Sequence, residues 1–129
     1  MGTWGTGTFD GDGPCDFLDG VIDNIEQEIE DCFGPDELSL GTGEDVLVPA
    51  IQIWSTLHEK CGGHTPQPEQ VKKWKEAYLP VYDKHMPELA DETFVEERRK
   101  VIVETFEKLE KQSVEFWNSV GKSACPTKE

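Results

Sequence analysis

Residues 44–61 read EDVLVPAIQIWSTLHEKC, and their apolar positions, Val46, Leu47, Val48, Ala50, Ile51, Ile53, Trp54 and Leu57, fall on most sides of a helical wheel. A helix that is apolar nearly all round has no face to give to water and must be packed from several directions. This segment therefore belongs at the centre of a helical fold. Thr42-Gly43-Glu44-Asp45 opens it as an N-cap with an acid three residues on, a variant of the capping box, and Cys61-Gly62-Gly63 closes it. Pro49 lies within its second turn, lacks an N–H, and is expected to distort it.

Working outward, the spacing predicts a first helix over 14–33. Pro14 suits the first turn with Asp12 or Gly13 as N-cap, and apolar residues at 18, 21, 22, 25, 29, 32 and 33 keep helical spacing. Asp16, Asp19, Asp23, Glu26 and Glu30 step by three or four along another face, forming a carboxylate stripe. Gly34-Pro35 stops this helix. Downstream, Thr65-Pro66-Gln67-Pro68 opens a third helix carrying Val71, Trp74, Ala77, Tyr78, Val81 and Tyr82, expected to break into two at Pro80 and to close near Pro87. Asp91 caps a fourth over 92–120, whose Ile102, Phe106, Leu109, Ser113, Phe116 and Val120 alternate steps of four and three, the seam of an antiparallel bundle partner. Leu38 to Leu40 is the one place outside the arm where a short extended pair has room to form. The expected architecture is all-α: a single domain over 1–121, a small bundle of four to five helices, with a Gly/Trp-rich arm, 1–13, packed on it and a frayed tail over 122–129.

Length and charge narrow the function. A chain of 129 residues has room for one core. No apolar run approaches the roughly 20 residues of a bilayer span, and no basic segment followed by an apolar one stands at the start, so the expectation is a cytoplasmic protein with no membrane partner. Its net charge is −15, which opposes nucleic acid phosphates and anionic lipid alike. That charge is uneven: residues 1–60 hold fourteen acids and one base, Lys60, while residues 61–129 hold thirteen acids and eleven bases. The partner such a field selects is a basic protein.

Four cysteines, none in a Cys-x-x-Cys pair, are too few for a disulfide scaffold, and Cys15 and Cys32 read as small apolar fillers on a helix face. Two groups have the residue types of a metal site. Asp10, Asp12 and Asp16 place oxygen ligands on a glycine-rich turn, without the EF-hand spacing; capping of the first helix and acceptance of arm backbone N–H groups is the favoured account of them. His58, Cys61 and His64 offer softer ligands at the end of the central helix, without the His-Glu-x-x-His spacing or an evident fourth ligand; a helix C-terminus also has ordinary use for an imidazole. No cofactor motif is present. Ser55, Ser113 and Ser119 lie in predicted helices without a strained elbow, and Glu92, Glu96 and Glu97 run straight into Arg98, Arg99 and Lys100, so nothing announces catalysis. Met1, Gly2 and Thr6 meet the minimal myristoylation pattern, but in an acidic setting that lacks the second, polybasic signal.

The arm adds a resemblance. Met1, Gly2, Trp4, Gly5, Gly7, Phe9, Asp10, Asp12, Asp16 and Phe17 match the opening Met-Gly-x-Trp-Gly-x-Gly-x-Phe, acid, Asn or Asp, Asp, then Asp and an aromatic. In this the chain resembles an uncharacterised domain-of-unknown-function family of small acidic bacterial proteins. Gly11 departs from the family's Asn or Asp, and Pro14-Cys15 from its small residues. The resemblance implies a single, mostly helical domain in which the arm residues are structural, and it implies no activity. The function expected from the residues is protein interaction through Asp16, Asp19, Asp23, Glu26 and Glu30, with an immunity-type inhibitor of a basic nuclease-like toxin as its sharpest form. The alternative is a divalent-metal-binding or metal-dependent protein.

Overall fold

The computed structural model describes residues 7–8, 11–34 and 37–122. Among them every regular element is a helix and none is a strand: α1 spans Asp12–Cys32, α2 residues 40–61, α3 Pro68–His85 with a 3-10 turn over Met86–Glu88, and α4 Glu92–Lys122. The expected all-α bundle is therefore what the chain forms. Most of the Gly/Trp arm, including Gly2, Trp4, Gly5, Phe9 and Asp10, and the tail from 123 onward lie outside the described residues.

α1 begins earlier than expected. Its N-cap is Gly11, in extended backbone and without a side-chain hydrogen bond, and Asp12 already sits in the first turn. Pro14 is tolerated because the first turn's N–H groups have no intrahelical acceptor, and Asp12 favours the positive end of the helix dipole. Leu18, Ile22, Ile29 and Cys32 face inward.

α2 differs at its start in a way that explains Pro49. Thr42 is not the N-cap: Ser39 is, its Oγ accepting the Thr42 backbone N–H at 3.1 Å. The helix thus starts at Leu40, where an extended pair had room, and a widened π-helical turn over Gly43–Leu47 follows, with Val48 N–H reaching back to Gly43 O. Pro49 has no N–H, and its ring crowds the carbonyl four residues back; the widened turn ends immediately before it. Pro80 does not break α3, which continues to His85. Pro80 and Glu76, whose carbonyl the proline leaves without a donor, are both exposed, so water can take that hydrogen bond. Asp91 caps α4 as expected, its Oδ1 accepting Phe94 N–H at 2.9 Å.

α2 is the central element. It packs on α1 and α4, its first turn touches α3, and α3 packs on α4. Leu47, Val48, Ala50, Ile51, Trp54 and Ser55 are buried along it, while Ile53 stays half-exposed beside α4. Ile102, Phe106, Leu109 and Ser113 form the buried seam of α4. The rings of Trp54 and Trp74 lie 6.4 Å apart, and Tyr78 and Tyr82 are fully buried beyond them. Among the described residues no helix is long and apolar enough to cross a membrane.

Candidate functional site

The carboxylate stripe lies along α1 as the periodicity predicts. Asp16, Asp23 and Glu30 are exposed, and Asp19 and Glu26 are half-buried. Glu30 accepts a hydrogen bond from the Gln70 amide at 3.2 Å. No Lys or Arg among the described residues forms an ion pair with Asp16, Asp23, Glu26 or Glu30. The five Lys- or Arg-based contacts of this kind join α2, α3 and α4 instead, through Arg98 to Glu44, Lys108 to Glu59, Arg99 to Asp83, and Lys75 to Glu107 and Glu110. Beside Asp16 the ring of Phe17 is 73% exposed.

Among the described residues His64, on the loop between α2 and α3, approaches the stripe. Its Nδ1 is 3.5 Å from Asp19 Oδ1 and its Nε2 is 3.8 Å from Asp23 Oδ1. Glu26 joins them: one ligand atom each from Asp23, Glu26 and His64 lie within 4.8 Å of one another. Glycine geometry brings the loop here. Gly62 and Gly63 have φ of +88° and +86°, which side-chain-bearing residues rarely adopt. At Gly63 a Cβ would also come within 2.6 Å of Ile22 Cδ1, so the backbone passes directly over α1.

Four successive carbonyls then fix this loop. His58 Nδ1 donates to Gly63 O at 3.0 Å, Trp54 Nε1 to His64 O at 2.9 Å, and Trp117 Nε1 to both Thr65 O and Pro66 O at 3.1 Å. Thr65 and Pro66 are buried. The loop is held by α2 and α4 from below, and the half-buried imidazole of His64 is left toward α1.

The other expected groups are placed differently. Asp12 and Asp16 are exposed on α1, and Asp10 lies outside the described residues. His58 is engaged with Gly63 O and packs edge-on against Phe116, ring centres 5.7 Å apart. Neither His58 nor Cys61 belongs to the His64 group, nor to any other such group among the described residues. The Ser55 hydroxyl donates to Gln112 Oε1 and that of Ser113 to Leu109 O. Cys32 and Cys61 are free thiols; Cys32 is buried, and burial pushes its thiol above the usual range.

A family model described as a domain of unknown function, DUF4259, matches residues 2–120. The chain belongs to that family. No curated protein and no solved structure is significantly similar to it. Membership in DUF4259 agrees with the uncharacterised family that the arm resembles, and it leaves the function unknown.

Sequence reasoning missed a second polar cluster in this DUF4259 domain. Glu44, in the widened turn of α2, accepts Tyr78 O–H at 2.7 Å through Oε2 and Arg98 Nε at 2.8 Å through Oε1. Burial, and then the hydrogen bond to Glu44, push the Tyr78 hydroxyl far above the usual tyrosine range. The cluster ties α2, α3 and α4 together over sequence separations of 34 and 54 residues, which no local pattern marks. Its donors and acceptors satisfy one another, a structural arrangement and not a reactive one.

Proposed function

We propose that the chain is a protein-interaction module whose α1 face meets a basic protein surface, with an immunity-type inhibitor of a basic nuclease-like toxin as the sharpest form of that reading. The observation that carries it is the uneven ion pairing: cations bridge α2, α3 and α4, while Asp16, Asp23, Glu26 and Glu30 pair with no Lys or Arg among the described residues. From residue 16 to residue 30 these carboxylates extend along about 21 Å of helix. A row of that length, set on a half-chain with one base, is a steering field that speeds encounter with a cationic surface roughly 10- to 1,000-fold and rejects acidic ones. Phe17, exposed beside Asp16, supplies an aromatic anchor of the kind that dominates interface energies.

The test compares the immobilised wild-type chain with Asp16→Asn/Asp23→Asn/Glu26→Gln/Glu30→Gln, both checked for equal melting. The wild type should retain a basic protein at low salt and release it in about 1 M salt, where charges are screened beyond about 3 Å. The neutralised variant should not retain it. Equal retention of the same proteins by both chains would overturn the reading.

A further inference from the structure

We infer that His64, Asp23 and Glu26 bind a Zn²⁺ ion, with Asp19 holding the imidazole from its far side. This is independent of the protein-contact reading: the two share carboxylates but not a readout.

The donor set is the first ground. One imidazole and two carboxylates are three protein ligands, the number a zinc ion takes when water completes its shell. The imidazole separates this group from Ca²⁺ and Mg²⁺ sites, which are built from oxygen alone. Tetrahedral ligands about 2.0–2.1 Å from zinc stand roughly 3.3–3.4 Å from one another. His64 Nε2 and Asp23 Oδ1 are 3.8 Å apart, and one ligand atom from each of Asp23, Glu26 and His64 lies within 4.8 Å of the others. Side-chain rotation by Asp23 and Glu26, at least partly open to solvent on one helix, closes that difference without backbone movement.

The second ground is the imidazole's orientation. A metal-binding histidine commonly donates its other ring N–H to a carboxylate, which fixes the tautomer. Asp19 Oδ1, 3.5 Å from Nδ1, stands where that carboxylate belongs, and Nε2 is the nitrogen left facing Asp23. The third is preorganisation. The Gly62-Gly63 bend and the clamps from His58, Trp54 and Trp117 set the His64 backbone before any ligand arrives. Asp23 and Glu26 repel one another, and a dication held between them on Nε2 offsets that repulsion.

The experiment uses the full, metal-stripped chain, titrated with Zn²⁺ calorimetrically and followed by ¹⁵N NMR of the histidine rings. One ion should bind per chain, and the His64 ring resonances should move while those of His58 and His85 stay. A large excess of Mg²⁺ should not displace it. His64→Asn should lose binding and keep its melting temperature, because the Trp54 bond is to the backbone carbonyl. Asp23→Asn/Glu26→Gln should lose it likewise. Asp19→Asn, which leaves all three ligands in place, should weaken it about 10- to 100-fold. Asp16→Asn and Cys61→Ser should change nothing. Wild-type affinity in His64→Asn, ring shifts at His58 instead of His64, or no uptake by the wild type would overturn the assignment. Zinc uptake without partner capture, or capture that persists in chelator without zinc uptake, tells which of the two readings has failed.

Discussion

Replacing Gly43 with alanine should destabilise the protein, against the ordinary direction of that change. In a helix interior, glycine to alanine gains about 1 kcal/mol from backbone entropy. At Gly43, however, a Cβ would fall within 3 Å of three atoms of the Tyr78 ring, Cε1, Cζ and Cδ1, the last at 2.8 Å. Carbon pairs sit comfortably at about 3.5–4.0 Å, so the nearest part of the ring would have to retreat by roughly 1.5–2 Å. It is not free to do so. Tyr78 is fully buried, and its hydroxyl is held by Glu44, itself held by Arg98. Overpacking costs about 1–3 kcal/mol, and a broken hydrogen bond to a charged acceptor about 1.5–3 kcal/mol. Net of the propensity gain of about 1 kcal/mol, the loss should be about 1.5–5 kcal/mol, lowering the melting temperature by roughly 6–18 °C for a chain of this size. Gly20→Ala is the matched control. It lies in the middle of α1 with nothing within 4 Å of the added Cβ, and it should melt at or slightly above wild type. Gly43→Ala/Tyr78→Leu should recover part of the loss, since the smaller side chain makes room. A Gly43→Ala variant that melts at or above wild type by circular dichroism would refute the reasoning.

Tyr78 and Tyr82 are the chain's two tyrosines; burial, then the charge on Glu44 for Tyr82 and the hydrogen bond to it for Tyr78, hold both hydroxyls above the usual range. A raised folded-state value means stability is complete below pH of about 10 and falls as pH rises beyond it. Tyrosinate absorbance should therefore appear together with loss of ellipticity, and a free-tyrosine step preceding unfolding would count against the burial described. Of Cys32 and Cys61, the first is buried and shifted upward and the second half-buried, so a disulfide reagent should label Cys61 before Cys32 and reach Cys32 only on unfolding. Gly63→Ala combines a positive φ with contact at Ile22 Cδ1 and Leu18 Cδ2, which should cost about 1–3 kcal/mol in a thermal melt. The same substitution should displace His64 and weaken zinc binding; unchanged binding would separate the loop from the site.

Most of the architecture was legible because it rests on local periodicity. Residues 44–61 are apolar on most sides, and they do lie at the centre; the seam from Ile102 to Ser113 is buried as its spacing implies. The errors arose where one local rule was matched by two sites. Thr42-Gly43-Glu44-Asp45 fits a capping box, yet Ser39 takes the cap three residues earlier, because its Oγ reaches Thr42 N–H. Pro80 removes a donor wherever it stands, but whether a helix breaks depends on what the freed carbonyl meets, and there it meets solvent. The sequence alone does not say which side of α3 faces water at that point.

The candidate site divides along the same line. The carboxylates of α1 were legible, since steps of three and four fix them on one face of one helix. The approach of His64 was not, because it depends on groups far along the chain: Trp54 is ten residues away, and Trp117 clamps Thr65 and Pro66 from 52 and 51 residues away. The spacing of His58, Cys61 and His64 drew attention to the loop that carries His64. It gave no sign that His58 would spend its Nδ1–H on Gly63 O, leaving His64 to face α1 alone. Among the described residues the charge asymmetry of the sequence thus becomes an asymmetry of faces: the Lys and Arg pairs bridge α2, α3 and α4, while Asp16, Asp23, Glu26 and Glu30 of α1 pair with no Lys or Arg. Two kinds of counter-charge can offset that excess, a basic surface spread along the stripe or a single dication at His64. They respond to different perturbations. Salt screens the first and leaves a coordinated ion in place, whereas a chelator removes the ion and leaves the stripe.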